Sequence, residues 1–142
     1  MGVAAVNKLE EGPELRPDYA KIAKVASQSK DVVPVVVQHA DTGEVLLLAY
    51  TNETARREAV EQRRLVLWST SRNELWEKGK TSGQTFELVE VRVNCEQNSL
   101  LYRVRPRAGG ICHTKNAAGD PRGTCFYRRL NPATGELENL DP

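Results

Sequence analysis

The chain has 142 residues, with 20 lysines and arginines against 19 acidic residues and a net charge of +1. That length makes one domain with a core of its own. The balanced charge argues against the broad basic field that nucleic acid demands and against a polybasic membrane face. Hydrophobic residues make up 39%, which is little for a self-contained globule of this size, so part of the core is expected to be completed across a subunit interface.

Residues 1–17 carry Glu10, Glu11, Pro13 and Glu14 and contain neither a secretory apolar core nor a bilayer-length apolar run. We expect a loose N-terminal arm and a cytoplasmic protein, in a compartment where disulfides are rare. Pro17-Asp18 opens a short helix with Ile22, Val25, Ala26 and Ser29 on one face. From Val32 the period changes. Val33–His39 is β-branched, Asp41-Thr42-Gly43 is a turn, and Glu44–Tyr50 returns. Both strands are apolar on two faces, which predicts a central hairpin.

Asn52 caps a helix from about Glu53 to Arg64, whose Arg56, Arg57, Arg63 and Arg64 read as a solvated face. Leu65–Ser69 is the next strand. The stretch Ser69 to Gly83 is polar and punctuated by glycine, and it has two readings. One is an ordinary surface loop. The other is a phosphate cradle in which Arg72 offers a bidentate fork, Ser69, Ser71, Lys78 and Thr81 offer further donors, and Ser82-Gly83 adds hydroxyl and backbone groups. Trp76 belongs either to the core or against a base.

Phe86 to Val93 alternates as a half-buried strand, Cys95-Glu96-Gln97-Asn98 turns, and Ser99 to Val104 returns. Gly109-Gly110 leads into Ile111-Cys112-His113-Thr114, a polar loop runs from Lys115 to Arg122, and Gly123 to Arg128 follows. The pattern places Cys112 and Cys125 on two adjacent strands. The acidic, turn-rich tail from Asn131 is expected to be poorly ordered. The division is then an arm (1–17), a domain (18–130) and a tail (131–142). Two helices against several hairpins give an α+β fold with a largely antiparallel sheet.

The cysteines are spaced C-x16-C-x12-C, which excludes a finger or ribbon knuckle. Three readings stay open on spacing alone. The cysteines are unrelated small hydrophobes, or Cys112 and Cys125 are bridged, or three thiolates hold one zinc and leave a fourth position for water. His113, directly after Cys112, is either structural or an acid/base group beside the metal.

The run Trp68-Ser69-Thr70-Ser71-Arg72-Asn73-Glu74-Leu75-Trp76-Glu77-Lys78-Gly79-Lys80-Thr81-Ser82-Gly83, the segment Ala49-Tyr50-Thr51-Asn52-Glu53, and Cys112-His113-Thr114 with Cys125-Phe126-Tyr127-Arg128 resemble the phosphoribosyl-AMP cyclohydrolase family. The likeness runs from about Val33 to Arg128. It implies hydrolytic opening of an adenine ring in histidine biosynthesis, with zinc and magnesium, in a homodimer whose sites lie at the subunit interface. It implies zinc on Cys95, Cys112 and Cys125, His113 beside the attacking water, and substrate held by Ser69, Ser71, Arg72, Trp76, Lys78, Thr81, Ser82 and Gly83.

The family's Asp-Cys-Asp-x-Asp magnesium run reads Asn94-Cys95-Glu96-Gln97-Asn98 here, so Asn94, Glu96 and Asn98 stand at the implied magnesium positions with one carboxylate among them. The gap between Cys112 and Cys125 is also lengthened, around residues 116–121. Two other functions fit the same residues: a related zinc hydrolase for another purine-like nucleotide, and a non-catalytic zinc-stabilised dimer that binds a nucleotide.

Overall fold

The computed structural model describes residues 7–81, 83–107 and 109–142. Among them the chain forms three helices, α1 (Lys8–Glu11), α2 (Lys21–Gln28) and α3 (Glu53–Gln62). Its strands are β1 (Val33–His39), β2 (Val45–Thr51), β3 (Val66–Ser69), β4 (Glu74–Glu77), β5 (Phe86–Val93), β6 (Leu100–Pro106), β7 (Arg128–Leu130) and β8 (Leu137–Asn139). The fold is α+β, as the alternation of patterns predicts.

A four-stranded sheet ordered β2-β1-β6-β5 is the frame. The hairpins β1–β2 and β5–β6 are antiparallel, but β1 and β6 meet in parallel, from Val35 opposite Leu100 to His39 opposite Val104. The expectation of a central first hairpin is therefore half right. β1 is interior and β2 is an edge. The inner strands put Val35, Val37, Tyr102 and Val104 at the bottom of the core, all fully buried. Leu65, Leu67 and Phe86 join them.

Helix α3 is set by the Asn52 side chain, which accepts the Ala55 amide at 2.9 Å. Only its small Ala55 and Ala59 are buried, so the thin apolar face is a close-approach face. Arg63 ends the helix in the left-handed region, φ 55°. The expected strand at Leu65–Ser69 is β3, and it pairs in a separate hairpin with β4, which lies inside the stretch that reads as a polar loop.

Three expectations are corrected here. Cys112 and Cys125 lie on irregular loop backbone, not on strands. The supposed arm contains α1, capped by the Asn7 side chain at 3.0 Å from the Leu9 amide and 3.3 Å from the Glu10 amide, and a third helix is thereby added to the expected two. The tail forms the β7–β8 hairpin and is stitched to the arm, with the Leu137 amide donating to Pro13 O at 2.7 Å. Both described ends also make contacts with the loop between Cys112 and Cys125, through Glu10, Glu11 and Asp141.

Candidate active site at the cysteine loop

The loop from Gly109 to Cys125 is shaped by one close approach. A Cβ on Gly110 would lie 2.4 Å from the carbonyl oxygens of Pro121 and Arg122, so only glycine lets these two stretches meet. The Cys112 amide then donates to Arg122 O at 3.0 Å, and the Arg122 amide to Thr114 O at 3.1 Å. The far side of the loop is pinned to the edge of the sheet. Thr124 Oγ1 donates to Val45 O at 2.8 Å, and the Cys125 amide to Leu46 O at 2.8 Å. These bonds occupy carbonyls that β2 would otherwise leave open.

The result brings two of the three cysteines together. Cys112 is buried and Cys125 half-buried. The Cys125 thiol is pushed up to about 12, first by burial and then by the adjacent Cys112, which lies within hydrogen-bond range; the nearby Lys78 ammonium acts the other way. A half-buried thiol beside a second sulfur resists ionisation, and a divalent metal at that point removes the penalty. Cys95 is elsewhere, exposed on the β5–β6 turn. Among the described residues of one chain, no three His, Cys, Asp or Glu side chains gather to hold a metal.

Beside the thiols opens a cavity of about 600 Å³, the size of a small-molecule site. Arg72, Trp76, Lys78, Thr81, Cys112 and His113 all line it. Strand β4 is what joins the two halves of the predicted constellation. Its Trp76 packs against the core while facing the cavity. Ser69 and Ser71 line a neighbouring hollow of about 340 Å³ that shares Arg72 and Trp76 with the first. Arg72 is held near Ser69 Oγ at 3.4 Å and Glu74 Oε1 at 3.3 Å. Gly83 is exposed, and its amide closes a turn onto Gly79 O at 2.8 Å. Ser82 lies outside the described residues.

His113 is largely exposed, and its Nε2 stands 2.5 Å from Glu10 Oε2. Glu10 is itself steadied by the Asn7 side-chain amide at 2.6 Å. Next to it Glu11 pairs through both oxygens with Arg122, at 2.7 and 3.0 Å. The carboxylates Glu10 and Glu11 and the buried Arg122 were invisible as site residues in the sequence. An acidic run in a polar arm and one arginine in a polar loop carry no spacing that links them.

The remaining expected ligands form a turn. Asn94 Oδ1 accepts the backbone amides of Asn98 at 2.9 Å and Ser99 at 3.0 Å, while its own amide donates to Asn98 Oδ1 at 2.6 Å. Asn98 in turn donates to Glu96 at 3.1 Å. The amide oxygens at the implied magnesium positions are thus engaged in holding the turn, and Glu96 is the only carboxylate. A hard cation prefers carboxylate oxygens, and this turn offers one.

A family model described as phosphoribosyl-AMP cyclohydrolase matches residues 47–127. The chain is similar to the phosphoribosyl-AMP cyclohydrolase of Hyphomonas neptunium, 43% identical over 121 residues, which cover 85% of this chain and 81% of that protein. It is similar to the one of Caulobacter vibrioides, 44% identical over 123 residues covering 86% and 78%. It also matches 48% of the histidine biosynthesis bifunctional protein HisIE of Thermus thermophilus, at 47% identity over 109 residues, 77% of this chain.

Proposed function

Because this chain is an enzyme of the phosphoribosyl-AMP cyclohydrolase family, we propose that it opens the adenine ring of N1-(5-phosphoribosyl)-AMP by zinc-dependent hydrolysis, in a step of histidine biosynthesis. The observation that carries the reading is one cavity lined by Cys112, whose thiol lies beside that of Cys125, together with Arg72, Lys78 and Trp76. In the reaction, the oxygen of one water bonds to C6 and the C6–N1 bond breaks. The oxygen remains as the carbonyl of a carboxamide; one of the water's protons goes to N1, which keeps its ribosyl arm, and the other to the exocyclic imine nitrogen, which becomes the carboxamide NH2.

Cys112 and Cys125 suit zinc, since soft thiolates at one point are its preferred donors. The third thiolate, Cys95, comes from a second copy of the chain, so the active species is a homodimer with shared sites. Zinc, when bound, makes a water molecule acidic enough to attack C6. Three thiolates leave the centre near −1, so a separate base is needed. His113 takes the water's proton and returns it to N1, with Glu10 fixing the ring by its bond to Nε2. Arg72, Lys78 and Thr81 grip one terminal phosphate, Ser69 and Ser71 extend that grip into the adjoining hollow, and Trp76 packs near the base.

No step is assigned to magnesium on the Asn94–Asn98 turn. The reading of a substrate-shifted zinc hydrolase rests on that altered turn alone. Purified protein should consume N1-(5-phosphoribosyl)-AMP, lose that activity to a chelator and regain it with zinc. Protein that binds zinc tightly yet leaves the substrate untouched overturns the assignment.

A further inference from the structure

Arg122 is the most deeply buried charge in the described residues, with 2% of its side chain exposed. A guanidinium in such a place must spend its donors, and it does. Nε donates to Asp141 O at 2.8 Å, and the two terminal nitrogens donate to Glu11. One of them also donates to Thr114 Oγ1 at 3.2 Å. Its plane lies over the Tyr127 ring, 4.2 Å from the centroid. Asp141 Oδ1 accepts from Asn116 at 3.1 Å, and Pro142 O from the Ala117 amide at 3.3 Å. The inserted loop is thus gripped between α1 and the segment after β8.

The bond to Thr114 matters most. A guanidinium N–H can only donate, so the Thr114 oxygen is the acceptor there, and its own proton is left for Cys112 Sγ at 3.0 Å. The Thr114 amide points at the same sulfur from 3.5 Å. Donors of this kind orient a metal-binding group and steady its charge. Two of the parts that hold Arg122, Glu11 and Asp141, lie outside the residues 47–127 matched by the family model.

We propose that Thr114 and Arg122 are positioning residues for Cys112, and that α1 and the segment after β8, through Glu11 and Asp141, set how firmly the cysteine loop retains zinc. The inference rests on the zinc reading above. It is tested on the full chain by zinc content, by the rate of zinc transfer to a colorimetric chelator at fixed pH, and by the sulfur-to-metal charge-transfer band after cobalt(II) substitution.

Thr114→Val keeps the shape and removes the hydroxyl, Thr114→Ser restores it, and Glu11→Gln loosens the arginine. The expected result is zinc retention weakened about tenfold in Thr114→Val, near-wild-type retention in Thr114→Ser, and faster release with a shifted cobalt band in Glu11→Gln. A Thr114→Val protein that loads and releases zinc like the wild type removes the role of Thr114. A Glu11→Gln protein that melts earlier but releases zinc at the wild-type rate reduces the clamp to a structural ion pair. A wild-type chain that takes up no zinc at all sinks the functional reading, and this one with it.

Discussion

An imidazole that is mostly in water has no packing to aim it, so its orientation must come from a partner. Glu10 is that partner for His113. His113→Ala should therefore lower turnover by about a hundredfold while zinc content stays at the wild-type level; a zinc-loaded variant with full turnover would strip the histidine of its proton-transfer role. Glu11 depends in the same way on Arg122. The Arg122 side-chain bond holds its carboxyl below the ordinary value of 4.5. A depressed folded value means that the stabilisation is complete above pH 4.5 and fades as pH falls through the lowered value. Glu11→Gln should cost about 1–2 kcal/mol at pH 7, since one partner of the pair is partly exposed. Denaturant titrations of the two proteins should converge as the pH falls through that lowered value. A gap that persists in acid would show that the pair's charge is not what matters.

Elements with their own period or cap could be read from the residues. Strand β1 is a β-branched run with the bounds it has in the structure, and α3 begins where Asn52 can accept an amide. Strand β4 could not be read, because Glu74-Leu75-Trp76-Glu77 has no strand-like pattern and is extended by its pairing with β3. The same holds for α1, four residues ordered by Asn7 and by contacts more than 100 residues away. In the candidate site, Arg72, Trp76, Lys78, Thr81, Cys112 and His113 were singled out by side-chain chemistry and motif, and they line one cavity. The carboxylates that hold the histidine and the arginine were not, since only folding makes them neighbours. Gly110 tests the loop as an element. Gly110→Ala should destabilise the protein by about 1–3 kcal/mol, seen as a lower midpoint in thermal melting; an unchanged midpoint would mean that the loop yields where the geometry says it cannot.

For the whole molecule, the α+β class was legible and the parallel joint between β1 and β6 was not, because nothing local in either strand specifies it. The position of Cys95, away from Cys112 and Cys125, makes a site shared between two copies of the chain testable. Cys95→Ser and Cys125→Ser should each be inactive. Mixed after dissociation, they should form a hybrid with one doubly altered site and one intact site, and part of the turnover should return. No recovery, in hybrids proven to form by mass spectrometry, would place the whole site within one chain.

That parallel joint has a consequence for how the chain acquires its shape. Each hairpin closes over a short stretch of sequence, whereas Val35 must find Leu100 across 65 intervening steps of chain. The late, rate-setting event in refolding is then the meeting of two preformed ribbons. Trimming Val37 at that seam should slow refolding itself, whereas trimming a residue in the outer turns should chiefly hasten unfolding.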